Sequence, residues 1–371
     1  MRFSQLASIR KVAVQPSKFS AYSIYLGFEH FDPGTLRFNK PGNPSNVTST
    51  KQAFHAGDTL YGKLRPYFRK VGWARDLSGL CSTDLWVFEP KPGVESRFVF
   101  YVAGCQAFSD LASSSSEGTR MPRASWSVVK DFEIPDFTLD EQRAIAATLG
   151  ALDDKIESNR RAIDLAEALA DQLFARKAKG SAVLTDIAKL TMGSSPPGNT
   201  YNEDNEGMPF YQGVRDFGRR FPGYRVWTTG AVRLAQNNDT LVSVRAPVGK
   251  LNRSREICCI GRGVAAVSSD WPSTIFYALR SADSIWEPFQ HEGTVFGAIN
   301  KVDLSKAQLP WPQADSLREL ESNFSVLDEK IWSLSTEIED LIDLRNTLLP
   351  ELLSGRIRVP EAHETVQEVI A

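Results

Sequence analysis

Histidine and cysteine are scarce in this chain of 371 residues, and neither type forms a pattern that builds a catalytic or metal site. The four histidines, at positions 30, 55, 291 and 363, have no metal-ligand spacing and no neighbouring nucleophile motif. The four cysteines include no C-x-x-C pair, and the adjacent Cys258 and Cys259 are poor disulfide partners. We therefore predict buried thiols in a reducing compartment, no metal site and no catalytic residue.

Motifs for nucleotide binding and membrane insertion are also missing. The sequence has no G-x-x-x-x-G-K-[ST] segment, and Gly261-Arg262-Gly263 lacks the third glycine of a dinucleotide-binding loop. No apolar run reaches about 18 residues, and no charged-then-apolar leader occurs. We expect no membrane partner and a cytoplasmic location. A stand-alone methyltransferase or nuclease would need a cofactor loop or a carboxylate cluster, and neither is found.

The formal net charge of −2 conceals an alternating distribution. Residues 1–135 carry 17 Lys and Arg against 11 Asp and Glu, whereas residues 136–180 carry 7 against 9. Residues 181–310 carry 14 against 12, and residues 311–371 carry 5 against 13. Two basic blocks therefore alternate with two acidic blocks, which favours basic surfaces joined by acidic segments.

An internal repeat follows the same division of the chain. The segment Leu152-Asp153-Asp154-Lys155-Ile156 recurs 175 residues later as Leu327-Asp328-Glu329-Lys330-Ile331, and Asp58-Thr59-Leu60 recurs 181 residues later as Asp239-Thr240-Leu241. Glu117-Gly118-Thr119 likewise recurs as Glu292-Gly293-Thr294. The repeat predicts two related globules, each followed by a related segment, in a pseudo-two-fold arrangement.

Both acidic segments have residues at the alternating spacing of three and four that is typical of a coiled-coil seam. The seam residues are Ile145, Leu149, Leu152, Ile156, Asn159, Ile163, Ala166, Ala170 and Leu173 in the first segment, and Leu320, Phe324, Leu327, Ile331, Leu334, Ile338, Leu341, Arg345 and Leu348 in the second. A capping box at Thr138 and Glu141, with Gly180 and Gly355 as stops, predicts helices of about 35–40 residues. Asn159 and Arg345 interrupt the seam and are expected to set its register.

The connectivity favours antiparallel pairing of the two helices over two separate helices that each pack on their own globule. The second helix leaves its globule by an exit equivalent to that of the first, which sends it back along the first. Acidic pairs such as Asp153-Asp154 are expected on a solvated helix face. The globules contain strand signals at 84–88 and 240–244 and helical stretches at 97–111 and 273–286, so the predicted fold class is mixed α/β.

Basic residues are concentrated in the predicted loops of both globules. Arg and Lys neutralise phosphates, and Arg or Gln can read base edges through paired hydrogen bonds. Salt bridges within the protein or a solvated face are the alternative for each residue taken singly. The candidate DNA-binding residues are Lys63, Arg65, Arg69, Lys70, Arg120, Arg123, Gln212, Arg215, Arg219, Arg220, Arg245, Lys250 and Arg262.

These loops and helices carry a resemblance to a known family. Tyr25-Leu26-Gly27-Phe28-Glu29-His30, with residues 56–60 and 79–85, resembles the first target recognition domain of the specificity subunits of type I restriction-modification systems. Residues 241–249 and 259–263 resemble the second such domain, and residues 140–145 and 348–357 are similar to the conserved helical regions. The resemblance covers nearly the whole chain. The predicted division is target recognition domain 1 at 1–136, spacer helix 1 at 137–180, target recognition domain 2 at 181–312, spacer helix 2 at 313–354 and a tail at 355–371.

The resemblance implies a non-catalytic subunit that gives a complex its DNA specificity. Each target recognition domain would read one half of a bipartite, asymmetric site in double-stranded DNA, and the helices would set the gap. Two methylation subunits holding S-adenosylmethionine would dock on the helices, and ATP-hydrolysing restriction subunits would join them. That complex would be a DNA adenine methyltransferase and an ATP-dependent endonuclease, while this chain would bind no cofactor. The alternative is a coiled-coil scaffold with two protein-binding globules.

Overall fold

The computed structural model describes residues 1–118, 120–289 and 297–370, which form two units. Unit 1 comprises Met1–Asn159 and Glu337–Ala371, and unit 2 comprises Arg160–Thr336. Thr119 and Glu292-Gly293-Thr294, which carry part of the predicted repeat, lie outside the described residues. The predicted bounds of the recognition domains stay a prediction.

Short strands and helices alternate along both units. Up to Lys177 the elements are α1 (Phe3–Leu6), β1 (Ala7–Ile9), β2 (Ala13–Val14), β3 (Tyr25–Leu26), β4 (Lys51–Phe54), β5 (Thr59–Gly62), β6 (Val71–Trp73), β7 (Gly79–Cys81), β8 (Leu85–Pro90), α2 (Ser96–Gly104), α3 (Gln106–Ser114), α4 (Trp126–Val129) and α5 (Leu139–Lys177). The later elements are β9 (Gly180–Val183), α6 (Leu184–Ile187), β10 (Lys189–Met192), β11 (Tyr201–Asn202), β12 (Met208–Tyr211), β13 (Trp227–Thr228), β14 (Leu234–Ala235), β15 (Thr240–Ser243), β16 (Leu251–Arg253), β17 (Cys258–Ile260), β18 (Val264–Ser268), α7 (Pro272–Arg280), α8 (Asp283–Trp286), α9 (Lys301–Ser305), β19 (Gln308–Trp311), α10 (Ala314–Ser354) and α11 (Val359–Ile370).

The described residues of unit 1 form two four-stranded sheets. The antiparallel sheet has the order β1-β8-β5-β6, with Leu60 opposite Val87, and the second has the order β2-β4-β7-β3, with β3 parallel to β7. Every residue of β5 is buried, so both faces of this central strand are covered. In the core, Phe88 packs edge to face with Phe3 and Phe108, with ring centroids 4.9 and 6.2 Å apart.

Unit 2 contains sheets of four, five and two strands among its described residues. The orders are β10-β18-β15-β16, β11-β13-β12-β17-β14 and β19-β9. In the five-stranded sheet, β12 runs parallel to β17, with Phe210 opposite Cys259. The main core packs α7 residues such as Ile275 and Leu279 against Val242 of β15 and Phe324 of α10. The mixed α/β fold class is thus confirmed.

The two long helices, α5 and α10, have residues in both units, and their predicted seam is confirmed. Fifteen of the eighteen seam residues are buried and the other three are half-buried, so the seam faces protein along its length. Thr138 and Glu141 form the capping box, because each backbone N–H donates to the other side chain, at 2.7 and 3.3 Å. Gly355, with φ +73°, directly follows the end of α10, where a left-handed glycine is favoured.

Within each unit, the segments of α5 and α10 run antiparallel. In unit 1, Asp153 of α5 pairs with Arg345 of α10 (2.7 Å), and Lys155 pairs with Glu337 (3.2 Å). In unit 2, Phe174 contacts Phe324 (ring centroids 6.4 Å apart), and Lys177 pairs with Glu319 (3.5 Å). In both units the residue number of the α10 partner decreases as that of the α5 residue increases. Among the described residues, no helix has the length and apolar composition needed to cross a bilayer.

Two local expectations need correction. The predicted helical stretches 97–111 and 273–286 are each two helices, since the chain breaks at Cys105 between α2 and α3 and at Ala282 between α7 and α8. Asp153 is not on a solvated face: its side chain is 19% exposed, pairs with buried Arg345 and accepts a hydrogen bond from Tyr101 (2.6 Å). Asp154 is half exposed and pairs with Arg97 at 3.1 Å.

Candidate nucleic-acid interface

A basic cleft in unit 2 brings together four of the predicted DNA-binding residues. Its volume is about 710 Å³, and Gln212, Arg215, Arg245 and Arg262 line it. Sheet topology explains the grouping. Gln212 and Arg262 follow the carboxyl ends of β12 and β17, which are parallel neighbours and therefore end at the same edge. Arg245 follows β15, whose antiparallel partner β18 begins just after Arg262.

Close backbone contacts and one buried carboxylate shape the floor of the cleft. A Cβ at Gly263 would lie 2.3 Å from the Gln212 carbonyl oxygen, so this approach requires glycine. Asp216 is 4% exposed and ends the 3₁₀ turn Val214–Asp216. Its Oδ2 accepts hydrogen bonds from the Gln212 and Gly213 N–H groups (2.6 and 3.3 Å), which holds the turn in place.

Three guanidinium groups of the cleft are available to a ligand. The side chains of Arg215, Arg245 and Arg262 are exposed, and within residues 1–118, 120–289 and 297–370 none of them forms an ion pair or a side-chain hydrogen bond. Three positive charges around one concavity create a local field that attracts an anion, and each planar group can bind two oxygens. The cleft therefore suits phosphate groups and the acceptor edges of bases.

Two other candidates in unit 2, Arg219 and Arg220, contact helices instead. Arg219 is half exposed and pairs with Asp164 and with Glu167 (3.0 Å) on α5. Arg220 is 2% exposed, pairs with Asp328 of α10 and lies with its guanidinium carbon 3.5 Å from the Phe276 ring centroid. A DNA contact requires an accessible guanidinium, and Arg220 does not offer one. The structure thus makes Arg220 a core residue.

Asp328 has a second buried arginine partner, Arg253 on β16. Burial lowers the pKa of the Arg253 guanidinium, and the Asp328 charge opposes this effect. Tyr277 also donates a hydrogen bond to Asp328, at 3.3 Å. Lys250, the remaining candidate of unit 2, is exposed but does not line the cleft.

In unit 1 the candidates lie along two paired segments. Leu64 pairs with Arg123 in an antiparallel bridge, and the Arg65 N–H donates to the Pro122 carbonyl at 2.7 Å. Arg65 and Arg120 are exposed and have no side-chain partner in the described part of unit 1. Arg123 pairs with Asp84 at 3.0 Å. Arg65 and Arg120 are thus the accessible cations of this surface.

The other three candidates of unit 1 are partly buried. Arg69 donates to the Gly34 carbonyl at 2.8 Å, and Lys70 donates to the Phe28 carbonyl at 2.8 Å. Burial lowers the pKa of Lys63, Arg69 and Lys70. The contacts of Arg69 and Lys70 hold the loop around the turn Pro66–Phe68, so these two residues have a structural use whether or not they contact DNA.

Comparison with known proteins agrees with this fold. A family model described as "Type I restriction modification DNA specificity domain" matches residues 38–168. The putative type I restriction enzyme MjaX specificity subunit of Methanocaldococcus jannaschii is 29% identical over 258 residues, which cover 62% of this chain and 60% of that protein. The chain is thus similar to specificity subunits of type I restriction-modification systems. The MjaIX specificity subunit of the same organism is 22% identical, over 73% of this chain and 71% of its own length.

A solved specificity-subunit structure shares the fold. The crystal structure of the type I restriction-modification system S subunit from M. genitalium matches with a TM-score of 0.60, covering 95% of both chains at 18% identity. At this identity the likeness shows a common fold. The alignment with the MjaX relative spans three fifths of that relative's length.

Two charged residues near the turns that follow β3 and β12 were not among the predicted contacts. Arg225 lines the basic cleft and is bound to Asp216. Glu29 is 67% exposed in the turn Phe28–His30, which follows β3 as the turn Val214–Asp216 follows β12. In sequence, Arg225 stands alone between Tyr224 and Val226, without the basic neighbours that mark the other candidates. Glu29 is acidic, whereas the candidate residues were predicted from positive charge and from Gln212.

Proposed function

We propose that this chain is the non-catalytic subunit that gives a type I restriction-modification complex its DNA sequence specificity. The basic cleft of unit 2 carries the proposal, because it collects Gln212 with the free guanidinium groups of Arg215, Arg245 and Arg262. Arginine is the side chain best suited to bind both phosphates and guanine edges, and glutamine can bind adenine edges.

The two units are proposed to be related copies that each read one half of a bipartite site. Both four-stranded antiparallel sheets have equivalent orders, β1-β8-β5-β6 and β10-β18-β15-β16. The bridge Leu64–Arg123 in unit 1 has its counterpart in Arg245–Ala298 of unit 2, at the two offsets of the sequence repeat. Tyr101 donates to Asp153 as Tyr277 donates to Asp328. Different residues at the cleft positions would then give different half-sites.

The long helices are proposed to set the gap between the half-sites and to dock two methylation subunits. Helix α5 has 39 residues and α10 has 41, and both have residues in each unit. At 1.5 Å per residue, each is about 60 Å long. S-adenosylmethionine would bind to the methylation subunits and ATP to restriction subunits, in a complex that methylates adenine and cleaves DNA in the cytoplasm. This chain would supply no reacting group.

The salt dependence of DNA binding by the full-length chain tests the proposal. Each phosphate contact contributes about 0.9 to the slope of log K against log salt. The variant Arg215→Ala/Arg245→Ala/Arg262→Ala is expected to lower the slope by about 2–3 and to weaken binding to duplex DNA. Arg176→Ala, which removes an exposed arginine from α5, serves as the matched control.

The scaffold alternative gives a different result. A scaffold would show no shift of random-sequence duplex DNA even at low salt. It would also give the same salt slope of DNA binding for the triple variant as for Arg176→Ala. Either observation would remove the basis for a DNA-reading cleft, whereas a slope reduced only in the triple variant would support it.

A further inference from the structure

Arg225 differs from the other arginines of the cleft because its guanidinium is held in place. Its Nε and Nη2 donate hydrogen bonds to Oδ1 of Asp216, at 2.9 and 2.5 Å. The Arg225 side chain is 35% exposed, whereas that of Asp216 is 1% exposed. Asp216 is itself fixed, since its other oxygen accepts from the backbone N–H groups of Gln212 and Gly213. A buried carboxylate on a turn thus orients an accessible guanidinium.

The free donors of Arg225 have a definite direction. A guanidinium carries five N–H donors in one plane, and Asp216 takes the Nε–H and one N–H of Nη2. The remaining N–H groups on Nη1 and Nη2 form no hydrogen bond within the described part of the chain. These two nitrogens present a pair of parallel donors on the edge of the group opposite to Nε. Such a pair matches two adjacent acceptors.

The charge of the arrangement indicates what those acceptors are. Arg225 and Asp216 together carry no net charge, so they attract a phosphate far less than Arg215, Arg245 or Arg262 does. A neutral partner with two acceptors does not need net positive charge. In the major groove, guanine presents O6 and N7 side by side, and bidentate arginine is the commonest contact to them.

We propose that Arg225 reads a guanine in the half-site bound by unit 2, with Asp216 as the positioning residue. The inference rests on the proposed DNA-reading function and assigns one base contact within it. Because Asp216 already orders the side chain, little rotamer entropy is lost on binding, and a base offering the wrong edge leaves the paired donors unsatisfied. The neighbouring arginines have no carboxylate partner among the described residues, so their net charge suits them better to phosphates.

The experiment begins with the full-length chain and a pool of random duplexes. Selection of bound duplexes identifies the recognised site. Each guanine of that site is then replaced by 7-deazaguanine, which removes the N7 acceptor and keeps base pairing. The wild-type chain is expected to lose about ten- to a hundredfold in affinity at one guanine of one half-site, and Arg225→Ala is expected to lose little more when that guanine is replaced.

Conservative variants separate base reading from charge and folding. Arg225→Lys keeps the positive charge but lacks the planar pair of donors, so it should keep affinity for random DNA and lose discrimination at that guanine. Asp216→Asn should reduce the same discrimination while Arg225 is still present. Arg176→Lys, at an exposed position of α5 outside the cleft, is the control and should leave base preference unchanged.

The outcomes separate this inference from the function on which it rests. If the wild-type chain selects no sequence from the pool, the proposed function fails. If it selects a site but the base preferences of Arg225→Lys equal those of the wild type at every guanine, the function stands and the assignment to Arg225 is wrong. A uniform loss of affinity on all duplexes would make Arg225 a phosphate contact and also overturn the assignment.

Discussion

Removing the charge of Asp328 should destabilise unit 2 selectively. Asp328, Arg220 and Arg253 are 3%, 2% and 3% exposed, and both arginines pair with this one carboxylate. Tyr277 donates to the same group. The variant Asp328→Asn keeps the size of the side chain and removes the counter-charge, which leaves two buried guanidinium groups without an anion.

The expected loss of stability is large because the charges cannot reach solvent. Breaking a buried ion pair by removing one partner costs about 3–5 kcal/mol. That range corresponds to an increase of about 10²- to 10⁴-fold in the opening equilibrium of unit 2. Replacing all three charges with apolar groups, in Arg220→Met/Arg253→Met/Asp328→Leu, should restore most of the stability, since no buried charge then lacks a partner.

Hydrogen exchange of the full-length chain measures the effect in each unit separately. Amides of the β-strands of unit 2 should exchange faster in Asp328→Asn, while those of β5 and β8 in unit 1 should keep their protection. Glu351→Gln, which breaks the exposed pair with Arg356, is the control and should change neither unit. Equal acceleration in both units, or less than tenfold acceleration in unit 2, would refute this reasoning.

Three further outcomes are expected. Burial raises the pKa of Cys105 to about 11 and of Cys258 to about 12, so the folded state keeps protons that unfolded thiols lose near pH 9. The contribution of each thiol to stability is therefore full below pH 9 and falls by about 1.4 kcal/mol per pH unit until the pH reaches its folded pKa, and urea unfolding should show a shallower fall for Cys258→Ala. Arg65→Ala/Arg120→Ala should lower the salt slope of DNA binding by up to about 2, and an unchanged slope would mean that neither contacts phosphate. One heptad added to α5 after Asn159 and to α10 before Glu337 should change the selected gap and keep both half-sites, whereas selection of the original gap would contradict a spacing role.

The long helices could be predicted closely because their signal is local. The alternating spacing of three and four residues is recognised from neighbouring residues alone. The capping box of Thr138 and Glu141 marks the start of α5 within one turn. The breaks at Cys105 and Ala282 were missed because the apolar pattern continues across them. Local composition indicated helix on both sides, and tertiary packing decided where the chain turns.

The candidate site was less predictable because the partners of its arginines are distant in sequence. Arg215 and Arg220 are five residues apart, and the sequence alone does not distinguish them. In the structure, Arg220 pairs with Asp328, which is 108 residues away, whereas the Arg215 side chain is exposed to solvent. Asp153 has its partner Arg345 192 residues away, so its burial could not be read from the acidic segment around it. Gln212, Arg245 and Arg262 line one cleft because of the order of the strands in two sheets, and the sequence does not reveal that order.

The division of the chain also bears on the order in which the protein can fold during synthesis. Unit 2 is one continuous segment, 160–336, whereas unit 1 needs residues 337–371 in addition to 1–159. The ribosome therefore completes unit 2 before it synthesises residues 337–354 of α10, which pair with the unit 1 part of α5 through Asp153–Arg345 and Lys155–Glu337. Until then the apolar face of α5 in unit 1 lacks its partner. Unit 1 therefore starts to be synthesised first but completes its folding last.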